Sequence, residues 1–324
     1  MTNSKPFKTL NQQLKILRDR GLNVPSNAKR SLEQNGYYAI INGYKWSFLQ
    51  RDSKGTVISP EQFVNGANFS EIQSLYDFDR ELRSILFESL LKYENTLNAT
   101  VSYRFSEAHP EEHSYLAIDN FTRDPQKVQS VVRTISSLSN VVKNKSGQDN
   151  AIKHYVNKHR HVPLWVLVNF LTFGDINFFH QIMTNDLRIT VAKDFTHFQR
   201  RSYPGQFIAG IQPEAIDSVN QLVNHFRNAV AHGEITFSKK IFKTPNLRPF
   251  KAALGNPNIP LNSQAGVFEI LIGLKVVLPK KDFKKLAHRI DELIRDYQND
   301  FKSITFNSVL NDMNFPQNYK DFIL

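Results

Sequence analysis

No cysteine occurs in the 324 residues. Disulfides, thiolate metal sites and a cysteine nucleophile are excluded, and the absence fits a reducing cytoplasm. No uncharged apolar run approaches the roughly 20 residues needed to span a bilayer; the longest candidate, Val162 to Phe173, carries Asn169. The opening residues, MTNSKPFKTLNQQL, lack the apolar core of a secretory leader. These features lead us to expect a soluble, cytoplasmic protein without membrane contact. No G-x-x-x-x-G-K-[ST] stretch is present, and no G-x-G-x-x-G follows a strand, which argues against a nucleotide-binding enzyme. His154, His159 and His161 have no carboxylate or thiol near them, and Lys158 and Arg160 would repel a cation. No metal and no cofactor are expected, and no internal repeat is evident.

Acid is scarce in two places. Lys and Arg number 41 against 30 Asp and Glu, a net charge of +11. Lys127 to Arg160 holds seven basic residues and the single acid Asp149, and Ser238 to Lys251 holds five basic residues and no acid. Solvated faces account for most such density, but two clustered blocks in a basic chain favour a polyanion partner. RNA is the expected partner, and Lys153, Lys158, Arg160, Lys239, Lys240 and Lys243 are the expected contacts. The segment Lys158 to His161 reads as a basic loop.

Aromatics are plentiful: 25 Phe, 11 Tyr and 2 Trp, enough for a sizeable core. The elements read as mainly α. Thr9-x-x-Gln12 is a capping box for a helix over Leu10 to Arg20 closed by Gly21. Pro25 and Ser26 open a second helix ending near Gly36. An aromatic, glycine-bracketed block follows, with a turn at Asp52–Gly55 that predicts a short hairpin. Ser70-x-x-Gln73 is read as the cap of a long helix reaching Ala108, where His109-Pro110 stops it. Glu94 and Asn98 interrupt its apolar stripe, which leaves two readings: either of them meets the face of Arg227, or Glu94 pairs with an Arg or Lys at the surface. Asp124-Pro125 opens a helix to about Val142. Pro163 to Gly174 reads as one central buried helix, and Asp186 to Arg200 as another. Prolines keep about thirty residues after Gly233 irregular. Gln264 to Val277 and Lys281 to Phe301 close the chain as two helices split by Pro279. A boundary is expected near residue 62, between an N-terminal helical and aromatic region (1–62) and a helical body (63–324).

The organising stretch is Pro213 to Gly233. Proline suits a first helical position and glycine the left-handed residue that stops a helix. Ile216, Val219, Val223, Phe226 and Val230 form the apolar stripe, widened by Leu222 and Ala229. Arg227, Asn228 and His232 fall off it, with Asn220 and Asn224 beside them. At about 100° per residue, Arg227 and His232 lie roughly 140° apart, while Asn228 and His232 share a face. A guanidinium that grips phosphate and an imidazole that titrates near neutrality form a minimal kit for cleaving RNA without metal. The plainer reading is a solvated Arg and a His that caps the helix.

Several blocks carry a resemblance. Leu17, Arg20, Gly21 and Leu22, then Gly36, Tyr37 and Tyr38, then Gly43, Tyr44 and Phe48, resemble the Abi-like (AbiD/AbiF-type) abortive infection proteins of bacterial phage defence. Leu75 to Arg83 and Pro163 to Gly174 resemble further blocks of that family. Arg227-Asn228-Ala229-Val230-Ala231-His232 matches the Arg-Asn-x-x-x-His pattern of the HEPN ribonuclease superfamily. Many relatives follow the His with a second His and an Arg-Leu-Trp-Asn stretch, where this chain reads Gly233-Glu234-Ile235-Thr236. The resemblance implies a HEPN-like helical bundle and a toxin-like endoribonuclease in which Arg227, Asn228 and His232 are catalytic. It also implies a homodimer that brings two motifs together, and a small structured noncoding RNA as a partner. The rival from a different class is an RNA-binding module in which Arg227 and His232 only grip phosphate. A helical scaffold for protein partners is disfavoured by the acid-poor blocks.

Overall fold

A computed structural model describes residues 6–205 and 208–324. Met1 to Lys5, the start of the stretch read above as leaderless, lie outside the described residues. Among those described, no helix is long and apolar enough to cross a membrane.

The N-terminal region is built from short pieces. Helix α1 (Leu10–Asp19) opens on the expected capping box, with Thr9 and Gln12 satisfying each other's backbone amides. Helix α2 (Ala28–Asn35) starts two residues later than Ser26, because the Ala28 amide first closes a turn on the Pro25 carbonyl. The aromatic block then winds as a π-helical turn over Tyr38–Asn42 and a 3₁₀ turn over Lys45–Phe48. The expected hairpin exists only as two isolated antiparallel bridges, Leu49 with Phe63 and Arg51 with Val57. Asp52 fixes its turn by accepting from the Lys54 and Thr56 amides.

The spine of the molecule is α3 (Phe69–Ala108), 40 residues and about 60 Å long. Its cap is Asn68 with Glu71 two residues upstream of the expected Ser70 with Gln73. Seventeen of its residues are buried, among them Leu75, Phe78, Leu82, Leu86, Leu90, Leu97 and Phe105. It buries several faces because helices pack along its whole length.

After α3, Asp124 caps a 3₁₀ turn that feeds α4 (Val128–Ser146), longer than expected by one turn. The segment expected as a basic loop belongs partly to α5 (Ala151–His159): Asn150 caps it through the Lys153 amide, and Arg160 ends it in the left-handed region. The expected central helix over 163–174 is broken. A single turn, α6 (Leu164–Leu167), continues as 3₁₀ over Val168–Phe170, and α7 (Phe173–Ile182) starts afresh. Two local effects break it. The Asn169 amide bonds back to the Trp165 and Val166 carbonyls, and Thr172 and Asp175 form a capping box that begins a new helix.

Helix α8 (Asn185–Ser202) and α9 (Pro213–Ala231) match their expected spans closely. The proline-rich segment beyond holds only the short α10 (Arg248–Ala253). Helix α11 (Val267–Val277) is buried on almost all sides, and α12 (Lys280–Tyr297) follows Pro279. The latter stops before Phe301, whose ring stacks on Phe48 while the Lys302 and Ser303 amides bond to Glu71. Two short helices, α13 (Phe306–Asp312) and α14 (Lys320–Ile323), finish the chain. Helix α3 packs on α12, α9, α6 and α8, and α9 packs on α3, α11 and α7. The architecture is mainly α, as expected.

Candidate active site

Local chemistry fixes both ends of α9. Gln212 is extended and Pro213 occupies the first turn. At the other end Gly233 takes φ +68, the Glu234 amide reaches the Ala229 carbonyl at 2.9 Å, and the Gly233 amide reaches Val230 at 3.4 Å. This pair of bonds is the Schellman stop, and it needs a residue without Cβ strain at position 233. His232 is therefore the last residue before the chain reverses, with its amide on the Asn228 carbonyl at 3.0 Å.

Most of the apolar face of α9 is buried as read, namely Ile216, Val219, Leu222, Val223, Phe226 and Ala229, while Val230 at its end is half-buried. Arg227 is half-buried, whereas Asn228 and His232 are exposed. Asn220 departs from expectation. It is fully buried and accepts from the Tyr93 hydroxyl at 2.6 Å, so it belongs to the core and not to the open face.

Glu94 meets the Arg227 face, which decides between the two readings of that residue. Glu94 sits in the middle of α3 at 8% exposure, and its Oε2 accepts from Arg227 Nε at 3.3 Å. No other group among the described residues accepts from Arg227, so the outer nitrogens of its guanidinium stay free to fork onto an anion. His232 lies at the helix C-terminus, open to solvent. The site thus offers a cation braced from behind, an amide and a solvent-facing imidazole within six residues of one helix end. Among the described residues no group of three or more His, Asp and Glu is arranged to hold a metal ion.

The segment leaving His232 is anchored by a group to which the sequence assigned no role. Asp79, fully buried on α3, accepts from the Tyr44 hydroxyl at 2.6 Å, the Phe237 amide at 2.6 Å, the Thr236 amide at 3.1 Å and Arg83 at 2.5 Å. Arg83 also reaches the Glu234 carbonyl at 3.4 Å. Burial pushes the Asp79 carboxyl up, and the hydroxyl, guanidinium and two amides oppose it. Burial likewise raises the Tyr44 hydroxyl, helped by the adjacent carboxylate. Three separated blocks, Gly43–Phe48, Leu75–Arg83 and the residues after His232, therefore converge on one carboxylate. The Glu-Ile-Thr sequence after Gly233 is the part that docks there.

The basic residues divide. Lys158 and Arg160 are exposed at the end of α5, Lys153 is half-buried on it, and α5 packs on α4 and α6. Lys243 is exposed. Lys239 pairs with Glu234 at 2.9 Å. Lys240 turns inward: its Nζ donates to the Asp312 carbonyl at 2.7 Å and to Asn314 Oδ1, and desolvation lowers its pKa. Lys240 ties the post-helix segment to α13 and is not positioned to reach a ligand.

The chain matches no curated protein and no solved structure. A family model described as Abi-like protein matches residues 30–238, a span that contains Tyr44, Asp79, Glu94 and the whole of α9. With that span covering well over half of the chain, the protein belongs to the Abi-like family.

Proposed function

We propose that the chain is a toxin-like antiphage endoribonuclease of the HEPN type, cleaving single-stranded RNA without metal. Membership of the Abi-like family suggests a role in abortive infection and defence. The observation that carries the reading is the Arg227–Glu94 pair on the same helix that ends, five residues on, in an exposed His232.

In this mechanism Arg227, held by Glu94, grips the scissile phosphate and offsets charge on its oxygens as the pentavalent state forms. His232 removes the proton of the ribose 2′-hydroxyl as general base, or donates one to the departing 5′-oxygen as general acid. The 2′-oxygen bonds to phosphorus, the P–O5′ bond breaks, and the products are a 2′,3′-cyclic phosphate and a 5′-hydroxyl. Asn228, on the same face as His232, orients the imidazole or the phosphate. In-line displacement puts the attacking 2′-oxygen and the departing 5′-oxygen on opposite sides of phosphorus, where two imidazoles serve better than one, so the active unit in this reading is a homodimer in which two α9 ends, each with its own Arg227 and His232, face one another. Lys158, Arg160 and Lys243 are the exposed cations that hold the RNA backbone, and a small structured noncoding RNA is a fitting regulator for a toxin of this charge.

The test compares wild type, Arg227→Ala and His232→Ala on end-labelled single-stranded RNA in EDTA. Cleavage by wild type with cyclic phosphate ends, reduced at least a hundredfold in each variant, is the expected result. Equal RNA binding by all three without cleavage would replace this reading with a non-catalytic RNA-binding protein.

A further inference from the structure

We propose that the surface of α3 beyond Glu94 is a base-binding track that seats two or three unpaired nucleotides of an RNA strand between the Arg227–His232 site and the end of α5. The inference rests on the reading that RNA is the ligand, and it assigns a second site to that ligand.

Two clefts flank one exposed ring. Tyr103 is 60% exposed and forms a ridge between them, and both clefts also share Ala99. The first, of about 730 Å³, is walled by Asn95, Asn98, Ser102, Asn169 and the ring of Trp165, itself 55% exposed. The second, of about 700 Å³, is lined by His197, Arg200 and Arg201 together with the Arg104–Asp194 pair. Either volume is ample for a nucleobase.

The chemistry of each wall suits one part of a nucleotide. Exposed aromatic faces stack bases irrespective of their identity. Tyr103 is held for this: its hydroxyl donates to Glu107 and the Arg104 guanidinium lies 5.2 Å from its ring centre. Amide groups bond to base edges. Asn169 uses its nitrogen on the Trp165 and Val166 carbonyls, which leaves its oxygen as an oriented acceptor. Asn98 Oδ1 is buried and has no partner among the described residues. In the second cleft Arg104 is neutralised by Asp194 and Glu107, so Arg200 and Arg201 are the cations available to phosphate.

The track also has direction. Asn98 lies one helical turn beyond Glu94, the partner of Arg227. At the other end, Ser106 and Trp165 are shared with a small hollow lined by His161, the residue after Arg160. Glu94 to Ser106 spans about 18 Å of helix, the reach of a few stacked nucleotides. A strand lying on α3 would run from the braced guanidinium to the first basic block. A dry protein interface fits poorly here, because amides and paired charges line the clefts.

The experiment isolates Trp165, one of two tryptophans, by Trp46→Phe, in a His232→Ala background that prevents cleavage. A 12-nucleotide single-stranded RNA is compared with an abasic ribose-phosphate strand of equal length and with the same sequence as a duplex. The expected result is quenching of Trp165 emission by the single strand alone. Tyr103→Ala and Trp165→Ala should each raise Kd about tenfold, while Tyr103→Phe, which keeps the ring, stays within about twofold. Melting curves of the exposed-site variants check that they fold. Absence of RNA binding, binding without quenching, affinity indifferent to both rings, or a change in oligomer mass with RNA affinity intact would each overturn the track. Wild-type cleavage that needs Arg227 and His232 but neither ring removes the track and keeps the proposed activity. Ring-dependent binding with no cleavage by wild type does the reverse.

Discussion

Asp79 and Glu94 are two carboxylates on one helix, fifteen residues apart, and both look toward α9 and the segment that leaves it. Asp79 is saturated: a hydroxyl, a guanidinium and two backbone amides converge on it, and no solvent reaches it. Glu94 has one guanidinium nitrogen at 3.3 Å and a side chain still 10% exposed. A carboxylate with every lone pair engaged can only hold structure in place. One that braces a half-open cation leaves that cation its outer face. The contrast separates the groups that build the site from those fitted to act in it.

The largest effect tests the saturated member. Asp79→Ala strands the Thr236 and Phe237 amides and leaves the half-buried Arg83 without its counter-ion. Breaking a buried pair of this kind costs about 3–5 kcal/mol, which a shift in the urea midpoint will show. A loss below about 1 kcal/mol would mean that Asp79 does not anchor the segment after His232.

Glu71 extends the comparison to a third carboxylate of α3. It accepts from the Ser303 hydroxyl at 2.5 Å, the Ser303 amide at 2.8 Å and the Lys302 amide, tying the chain after α12 to the start of α3. Burial raises its pKa, but these bonds outweigh burial and set it below the usual 4.5. A depressed carboxyl stabilises the fold above its unfolded-state value, and that contribution is lost as pH falls through the lower folded value. Glu71→Gln should cost about 2 kcal/mol near neutrality and flatten the loss of stability with acid below pH 4.5. An unchanged acid limb in the variant would contradict the assignment.

Glu94→Gln probes the unsaturated member. Glutamine keeps an acceptor for Arg227 Nε but removes the charge. Stability should change by less than about 1 kcal/mol, whereas RNA cleavage should fall about tenfold, equivalent to about 1.4 kcal/mol in the transition state. A variant that loses stability and keeps its rate would place Glu94 with Asp79 among the structural groups.

Short-range signals explain what the sequence disclosed. Pro213 and Gly233 act on their own neighbours, so both ends of α9 and the exposure of His232 were readable. Asn68–Glu71 and Ser70–Gln73 fit the same cap pattern in overlapping registers. The first prevails because Glu71 also serves amides 231 and 232 residues away, a demand that no local pattern contains. The break at 168–172 is hidden for a different reason: the segment's apolarity is continuous, yet the backbone bonds of Asn169 and Thr172 decide the outcome. Asp79 stands within the Leu75–Arg83 block. Its partners at 236 and 237 are 157 and 158 residues distant, so only the fold could give it a role.

The smallest expected effects divide two lysines three residues apart. Charge density treats Lys240 and Lys243 alike, but the fold does not. Lys240 donates to Asp312 and Asn314 inside the molecule, and Lys243 is exposed. Lys243→Ala should weaken RNA binding about threefold, lower the dependence of log Kd on log salt by about one, and leave stability unchanged. Lys240→Ala should cost about 1 kcal/mol of stability and leave the salt dependence as it was. Filter binding across a salt series, with melting curves on the same samples, measures both. If Lys240→Ala reduced the salt slope as much as Lys243→Ala, its inward bonds would have to open when RNA binds, and the second basic block would act as one surface.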